Sequence, residues 1–355
     1  MNYPDDLFTH RFYAKAPMRL SLAGGGTDVG SYPEKYGGVV ISCTITIYAS
    51  VSVAFNPDSK IVIREAGQIA KFDSMEDLRR SKSHEIVRVV LEKMNKHNYG
   101  VDVCIFSGTQ QRSGLGGSAA LFVALLSLFN YIDGDYGFDN YGLADLAWTL
   151  ERDELNNLGG RQDQHASVFG GLNYIEFLKG GIVRVTPLQL APNVHHHLES
   201  NLLLFWIGDR ARSGGVIEDQ INNINSGTNI DSLHSAKKLT QDLKSVLLKG
   251  DVKAVGGLLE AGCQAKKGFS QMVSTPEIDE FHDQLMKVGM LGGRLTGAGG
   301  GGHFLAYAEL EDRQKVIDTA VSLGARFVPF GFEPEGVVAW TMPFERTQPN
   351  YMDKQ

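Results

Sequence analysis

The chain opens on short runs in which apolar and polar positions alternate. Phe12 to Ala23 alternates loosely and ends at Gly24-Gly25-Gly26, as a strand that stops at a glycine turn does. Val39 to Phe55 is rich in Val, Ile and Thr, the composition of paired strands. Lys60 to Arg64 reads as another short strand. The period changes at His84 to Lys96, where Ile86, Val89, Val90, Leu91 and Met94 fall at helical spacing. Val101 to Phe106 alternates again. Ser118 to Asn130 is apolar all round, which marks a helix buried on every side. Tyr141 to Asn156 and Gln162 to Phe169 read as further helices.

The second half begins with Leu202 to Ile207, a buried strand. Two or three helices follow between Asp231 and Met272, and another spans Pro276 to Val288 with proline in its first turn. After Gly297 to Gly302 come a strand (Phe304 to Tyr307), a helix (Asp312 to Leu323) and strands near Phe327 and Val337. The fold class is α+β. Pro187, Pro192 and Asn193 interrupt the pattern, which divides the 355 residues into domains 1–195 and 196–355. His195-His196-His197 lies at that junction and reads as a solvated linker rather than a metal site.

Composition narrows the class. With 43% hydrophobic and 21% charged residues, this is the make-up of a soluble globular enzyme. The net charge of −7 gives a nucleic-acid role no electrostatic support. A polyanionic ligand needs local cations or backbone N–H groups. Cys43, Cys104 and Cys263 are widely spaced and form no C-x-x-C, so disulfides are not expected and a reducing compartment is. The polar Met1 to Lys15 stretch has no apolar core of a signal peptide. No run of 18 apolar residues occurs, so no membrane partner is expected. The expected location is cytoplasmic; monomer and homodimer stay open.

Three glycine-rich segments carry the chemistry. In Gln111 to Ala120 (QRSGLGGSAA), glycines precede a helix start. Glycine permits close backbone approach, and the first N–H groups of a helix lack internal partners, which suits phosphate. Gly24 to Asp28 follows the strand that carries Arg19. Leu295 to Gly302 (LTGAGGGG) has four consecutive glycines before a strand; a mere turn needs one or two, so a close approach to a ligand or another segment is expected. Gly114, Gly116 and Ala119 also match a dinucleotide fingerprint. However, polar residues from Ser107 to Ser113 separate them from the strand, and the tight dinucleotide turn has no room for these. No G-K-S or G-K-T occurs, nor an H-R-D with a later D-F-G, so P-loop and protein-kinase chemistry are excluded by pattern.

Together the segments resemble the signature of the GHMP kinases, the family of galactokinase, homoserine kinase, mevalonate kinase and phosphomevalonate kinase. Its first motif is seen as Ala16-Pro17-Met18-Arg19 with Gly24 to Asp28, its second as Gly114 to Ala120, its third as Leu295 to Gly302. Within the family, Arg19 to Asp28, Gly159 to His165 with Phe169-Gly170-Gly171, and Lys266-Lys267 ahead of Ser274 to Asp279 resemble bacterial heptose 7-phosphate kinases. The chain departs from the pattern at Gly117, at Gln111 and Arg112, and at His303.

The resemblance implies a first domain like the second domain of ribosomal protein S5 and a ferredoxin-like second domain, with ATP and Mg²⁺ in the cleft between them. It assigns Asp163 as base or orienter of the acceptor hydroxyl, with Arg19 beside the transferred phosphoryl group. Gly114, Leu115, Gly116, Gly117, Ser118 and Ala119 would cradle the ATP phosphates. Ser118 and Glu151 are the Mg²⁺ candidates. Gly25, Gly26, Thr27, Asp28, Gln164, Gly299 and Gly300 would face the sugar. Arg212, Lys266 and Lys267 are candidates for a substrate phosphate. The implied reaction is phosphorylation of D-glycero-D-manno-heptose 7-phosphate at its anomeric hydroxyl. Rivals are a kinase of free fucose, galactose or a uronic acid, and a non-catalytic sugar and nucleotide sensor.

Overall fold

The computed structural model describes residues 7–96, 99–110, 112–134, 137–209 and 213–344. The strands described there form two sheets. The first sheet takes β1 (His10–Ala23), β2 (Gly38–Asn56), β3 (Ile61–Glu65), β4 (Gln68–Phe72), β5 (Gly100–Ser107), β6 (Leu172–Phe177) and β7 (Val183–Pro187). The second takes β8 (Leu202–Trp206), β9 (Met290–Leu295), β10 (His303–Ala308) and β11 (Arg326–Phe327). The chain then returns, and β12 (Val338–Pro343) pairs antiparallel with β1 at the edge of the first sheet. That return is a long-range pairing for which periodicity offers no signal.

The segment expected to hold paired strands is one strand, β2, 19 residues long. No turn residue interrupts Val39 to Phe55, so nothing reverses the chain. Its length lets β1 cover one edge while β6 and β5 pair in succession along the other. The β1–β2 ladder has irregularities at Pro17/Met18 and Ser21/Ala23. They bracket Arg19, and such bulges re-aim side chains beside active sites.

The helix Gly117–Ile132 packs on β1 and β2, with Phe122, Leu125, Leu126 and Phe129 buried in the main core. Each such side chain contributes about 1.5–3 kcal/mol on burial, which holds the helix start against the end of the sheet. The helix Gln162–Phe169 also lies on β1 and β2. Ser167 Oγ donates to the Pro17 carbonyl at 2.8 Å, and Val337 N donates to the Ser167 carbonyl at 3.0 Å. This helix is therefore clamped between β1 and the returning C-terminal segment.

The junction differs from expectation. Pro192 starts a helix, Pro192–Asn201, instead of breaking the chain into a linker. Proline is well tolerated at the first helical position, and the histidine run sits in this helix. The expected boundary at residue 195 thus falls inside a helix that leads directly into β8. Gln68 to Phe72, Leu172 to Phe177, Val183 to Pro187 and Met290 to Leu295 are strands, and Met75–Ser81 and Ser213–Ser226 are helices, that the patterning left unread. Among the described residues, no helix is long and apolar enough to cross a membrane. Cys43, Cys104 and Cys263 are all free thiols.

Candidate active site

A cleft of about 810 Å³ opens where the two sheets meet. Arg19, Gly25, Gly26, Gly114, Gly116 to Ala119, Glu151, Asp163, Gln164, Lys266 and Gly297 all line it. The three glycine segments, far apart in sequence, share this one space.

At its centre is an ion pair. Arg19 Nε and Nη2 donate to Asp163 Oδ1 at 2.8 and 2.6 Å, and Nη1 donates to the Gly114 carbonyl at 2.5 Å. Arg19 is 3% exposed, and its own N–H donates to the Leu115 carbonyl at 3.0 Å. One guanidinium thus ties the carboxylate to the glycine loop, a fork geometry that lysine cannot copy. Both contacts use Oδ1. Among the described residues Oδ2 accepts no hydrogen bond, and it faces Gly116, where an added Cβ would sit 3.2 Å away.

Gly114 and Gly116 have φ of 85° and 76°, values that side chains disfavour. This backbone delivers the chain to the start of Gly117–Ile132, whose first N–H groups have no intrahelical acceptor and face the cleft. Leu115 differs from its neighbours. Its side chain is fully buried in the core, and its N–H is bonded to Ser113 Oγ at 3.4 Å. It serves the loop rather than a phosphate.

Glu151 reaches the cleft from the helix Asn140–Asp153 and is 5% exposed. Asn157 Nδ2 donates to its Oε1 at 2.8 Å and Gln164 Nε2 to its Oε2 at 2.7 Å, with the Ser118 hydroxyl also hydrogen-bonded to it. Burial pushes the Glu151 carboxyl up, assisted by the nearby Asp163 charge. A carboxylate, a hydroxyl and a second acid within reach form an oxygen donor set of the kind Mg²⁺ takes. A cation would also relieve the repulsion between the two carboxylates. Gln164 is thereby tied to Glu151 through Nε2.

The first glycine segment is organised differently from expectation. The Thr27 hydroxyl is fully buried; it donates towards the Gly24 and Val39 carbonyls and accepts from Val39 N, each at 2.9 Å. It closes a turn and has no free capacity for a sugar. Asp28 is 5% exposed and its Oδ1 accepts Gly26 N–H at 3.1 Å. Gln162 donates to the same carboxylate from its backbone N–H and from Nε2, at 3.2 Å each. Burial raises the Asp28 carboxyl above its ordinary range. Gly25, Gly26 and Gln162 are what this region presents to the cleft.

The third segment divides. Gly297 and Ala298 line the cleft. Gly299 and Gly300 do not: Gly300 N–H donates to the Val273 carbonyl at 2.8 Å, and a Cβ on Gly299 would sit 2.7 Å from that oxygen. They brace the segment that follows the helix Val255–Lys267. Lys266 is 4% exposed and donates to the Leu295 carbonyl at 3.0 Å and to the Gly297 carbonyl. Lys267 points away from the cleft and pairs with Asp279 at 2.7 Å. Arg212 lies outside the described residues.

Several residues to which the sequence assigns no role also shape the site. His303 is 2% exposed, and both its N–H and its Nδ1 meet the Ser113 carbonyl, at 3.1 and 2.8 Å. It joins the third glycine segment to the second. Trp148 Nε1 donates to the Gly159 carbonyl at 3.2 Å, and the Arg161 guanidinium stacks 4.0 Å above the same ring. These contacts fix the turn leading to Asp163. Asn157 and Gln162 are too common in loops and helix starts to stand out.

These parts (a helix start for phosphate, a part-buried Arg–Asp pair, an acidic donor set) define a small-molecule phosphotransferase. The profile of the GHMP kinase N-terminal domain matches residues 83–171, and that of the C-terminal domain matches residues 243–325. The chain thus carries both domains of the GHMP kinases in order and, with its likeness to their sugar kinases, is a phosphotransferase with an alcohol group as acceptor. It is 27% identical to D-glycero-alpha-D-manno-heptose 7-phosphate kinase of Campylobacter jejuni, over 92% of this chain and 98% of that one. It is 24% identical to L-fucokinase/L-fucose-1-P guanylyltransferase of Bacteroides fragilis, over 91% of this chain but only 38% of that one. The crystal structure of a D-glycero-D-manno-heptose 1-phosphate kinase from Bacteroides thetaiotaomicron superposes with a TM-score of 0.78 at 27% identity, covering 93% of this chain and 98% of that one. The protein is a sugar kinase of this family.

Proposed function

We propose that the protein transfers the γ-phosphoryl group of ATP to the anomeric hydroxyl of D-glycero-D-manno-heptose 7-phosphate, giving the 1,7-bisphosphate and ADP. The observation that carries this reading is the Asp163 carboxylate, held through Oδ1 by Arg19 and open at Oδ2, beside the phosphate-binding helix start. Likeness to a heptose 7-phosphate kinase over nearly the full length supports the sugar.

In this mechanism the sugar oxygen attacks the γ-phosphorus, the bond from phosphorus to the ADP oxygen breaks, and the hydroxyl proton passes to Asp163 Oδ2. An anomeric hydroxyl is more acidic than an ordinary alcohol, so a carboxylate suffices. Arg19 offsets charge on the transferred group and keeps Asp163 in line, since such reactions depend chiefly on positioning and charge. The N–H groups from Gly117 to Ala119 take the phosphates. The apolar end of the cleft, with Ala49, Ile86, Ile105 and Leu121, takes the adenine. Ser118 and Glu151 would hold Mg²⁺, which neutralises phosphate charge when bound, and Gln164 would orient Glu151.

The metal assignment makes a pH prediction. The folded state keeps the Glu151 proton to higher pH than the unfolded chain does. Its contribution to stability therefore falls as pH rises from the ordinary carboxylate range through the raised value. A bound cation favours the ionised form and opposes this loss. Thermal stabilisation by Mg²⁺ with ADP should thus grow as pH rises through that window. The growth should vanish in Glu151→Gln. Gln164→Ala should raise the Mg²⁺ concentration for half-maximal rate by about tenfold, as loss of a ligand's supporting hydrogen bond does, with little change in sugar KM. Equal Mg²⁺ responses in wild type and both variants would remove Glu151 from the metal site.

A second reading, a free-sugar kinase, has one observation in its favour. Lys266 is bonded to the Leu295 and Gly297 carbonyls and Lys267 to Asp279, so these two of the cations expected to meet a substrate phosphate are already engaged. ADP release measured with heptose 7-phosphate, fucose, galactose and glucuronic acid separates the two. The first reading expects kcat/KM highest for the phosphorylated heptose. A free sugar turned over at least as well overturns it and leaves the anomeric kinase.

A further inference from the structure

We infer that the side-chain carbonyl of Gln162 accepts a hydrogen bond from one sugar hydroxyl, which makes Gln162 a specificity-determining residue. The inference rests on the sugar-kinase reading of the cleft.

The orientation of this carboxamide follows from its neighbours. Oδ1 of Asp28 already accepts the Gly26 N–H and Oδ2 the Gln162 N–H. Both oxygens act as acceptors, so the group of Gln162 that lies 3.2 Å from each must be the NH₂ end. Oε1 is therefore turned away from Asp28 and cannot exchange places with Nε2. The residue is 8% exposed and lines the cleft beside Gly25, one position before Asp163 in the same helix start. Among the described residues, Oε1 receives no hydrogen bond. Buried carboxamide oxygens almost always have a donor. The Ser21 hydroxyl also borders Gly25 and also lacks a partner, yet makes no hydrogen bond to Oε1; the missing donor is assigned to a ligand that enters the cleft on the Asp163 side, and a sugar hydroxyl is such a donor.

The arrangement also explains why Asp28 is buried behind its loop. Its carboxylate fixes the amide, and the amide meets the substrate. Gln164 has the same form, with NH₂ bound to Glu151 and Oε1 without a donor, but it stands on the Glu151 side. A site that reads a hydroxyl through an oriented buried acceptor discriminates strongly against the deoxy analogue, because the acceptor is then left unpaired.

The test compares kcat/KM for heptose 7-phosphate and its monodeoxy analogues in wild type and in Gln162→Met. If galactose proves the better acceptor, the deoxygalactoses replace them. In wild type, one deoxy position should cost roughly tenfold to a hundredfold. In Gln162→Met that one ratio should fall to near one, while the ratios at other positions persist. Since Met leaves Asp28 with fewer donors, the measurement is repeated in Asp28→Asn/Gln162→Met, with ADP binding as the check on folding. Ratios unchanged at every position, or a uniform loss of rate without change in any ratio, would overturn the inference and leave the kinase reading intact. Absence of turnover on every sugar in wild type would instead overturn the kinase reading and this inference with it.

Discussion

Asp163→Ala is expected to lower kcat by on the order of 10³-fold while ADP binding stays within about twofold of wild type. General-base contributions are typically 10²–10⁴-fold. The substitution also releases Arg19, which is 3% exposed and donates twice to Asp163 Oδ1. The freed guanidinium keeps the Gly114 carbonyl, so the phosphate loop should hold its shape and nucleotide binding should persist. Arg19→Ala should lose a similar factor, and the double variant little more, because the pair acts as a unit. A small effect of Asp163→Ala at all pH values would show that proton removal and orientation lie elsewhere.

Gly160→Ala is expected to be strongly damaging to the sugar side of the site. A Cβ there would lie 2.1 Å from Asp28 Oδ2 and 2.9 Å from the Asp28 carbonyl oxygen. Neither can retreat. The carboxylate is held by Gly26 N–H and by two groups of Gln162, and the carbonyl is part of the backbone. Overpacking of this kind costs about 1–3 kcal/mol, and each hydrogen bond lost by the buried carboxylate costs about as much again. Chemical denaturation should show a loss of at least about 2 kcal/mol. Sugar KM should rise more than tenfold, while ATP KM changes little because the phosphate loop is untouched. Wild-type stability and sugar KM in this variant would mean that the turn at Gly160 does not set the sugar side of the cleft.

Much of this was legible in the sequence, and the limits have physical causes. The helix Gly117–Ile132 was visible because an all-round apolar run can only be buried. The three glycine segments were visible because glycine's entropy cost demands a reason, and their order pointed to the cleft. Side-chain roles within those segments were less legible. Thr27 and Asp28 look like sugar ligands on a loop, yet both close the loop itself. Lys266 looks like a phosphate ligand, yet it caps carbonyls of the third glycine segment. Such choices are settled by which partner is nearest in space, and sequence spacing does not contain that distance. The same holds for His303 and Gln162, which act through Ser113 and Asp28, 190 and 134 positions away. Pro192 was misread because proline both breaks and begins helices, and only the downstream chain decides which.

The most direct test of the central claim is ³¹P NMR of the product formed from ATP and heptose 7-phosphate. A second phosphate signal coupled to the anomeric proton should appear with wild type and be absent with Asp163→Ala. A new phosphate on any other carbon, or an anomeric phosphate formed equally by Asp163→Ala, would contradict it.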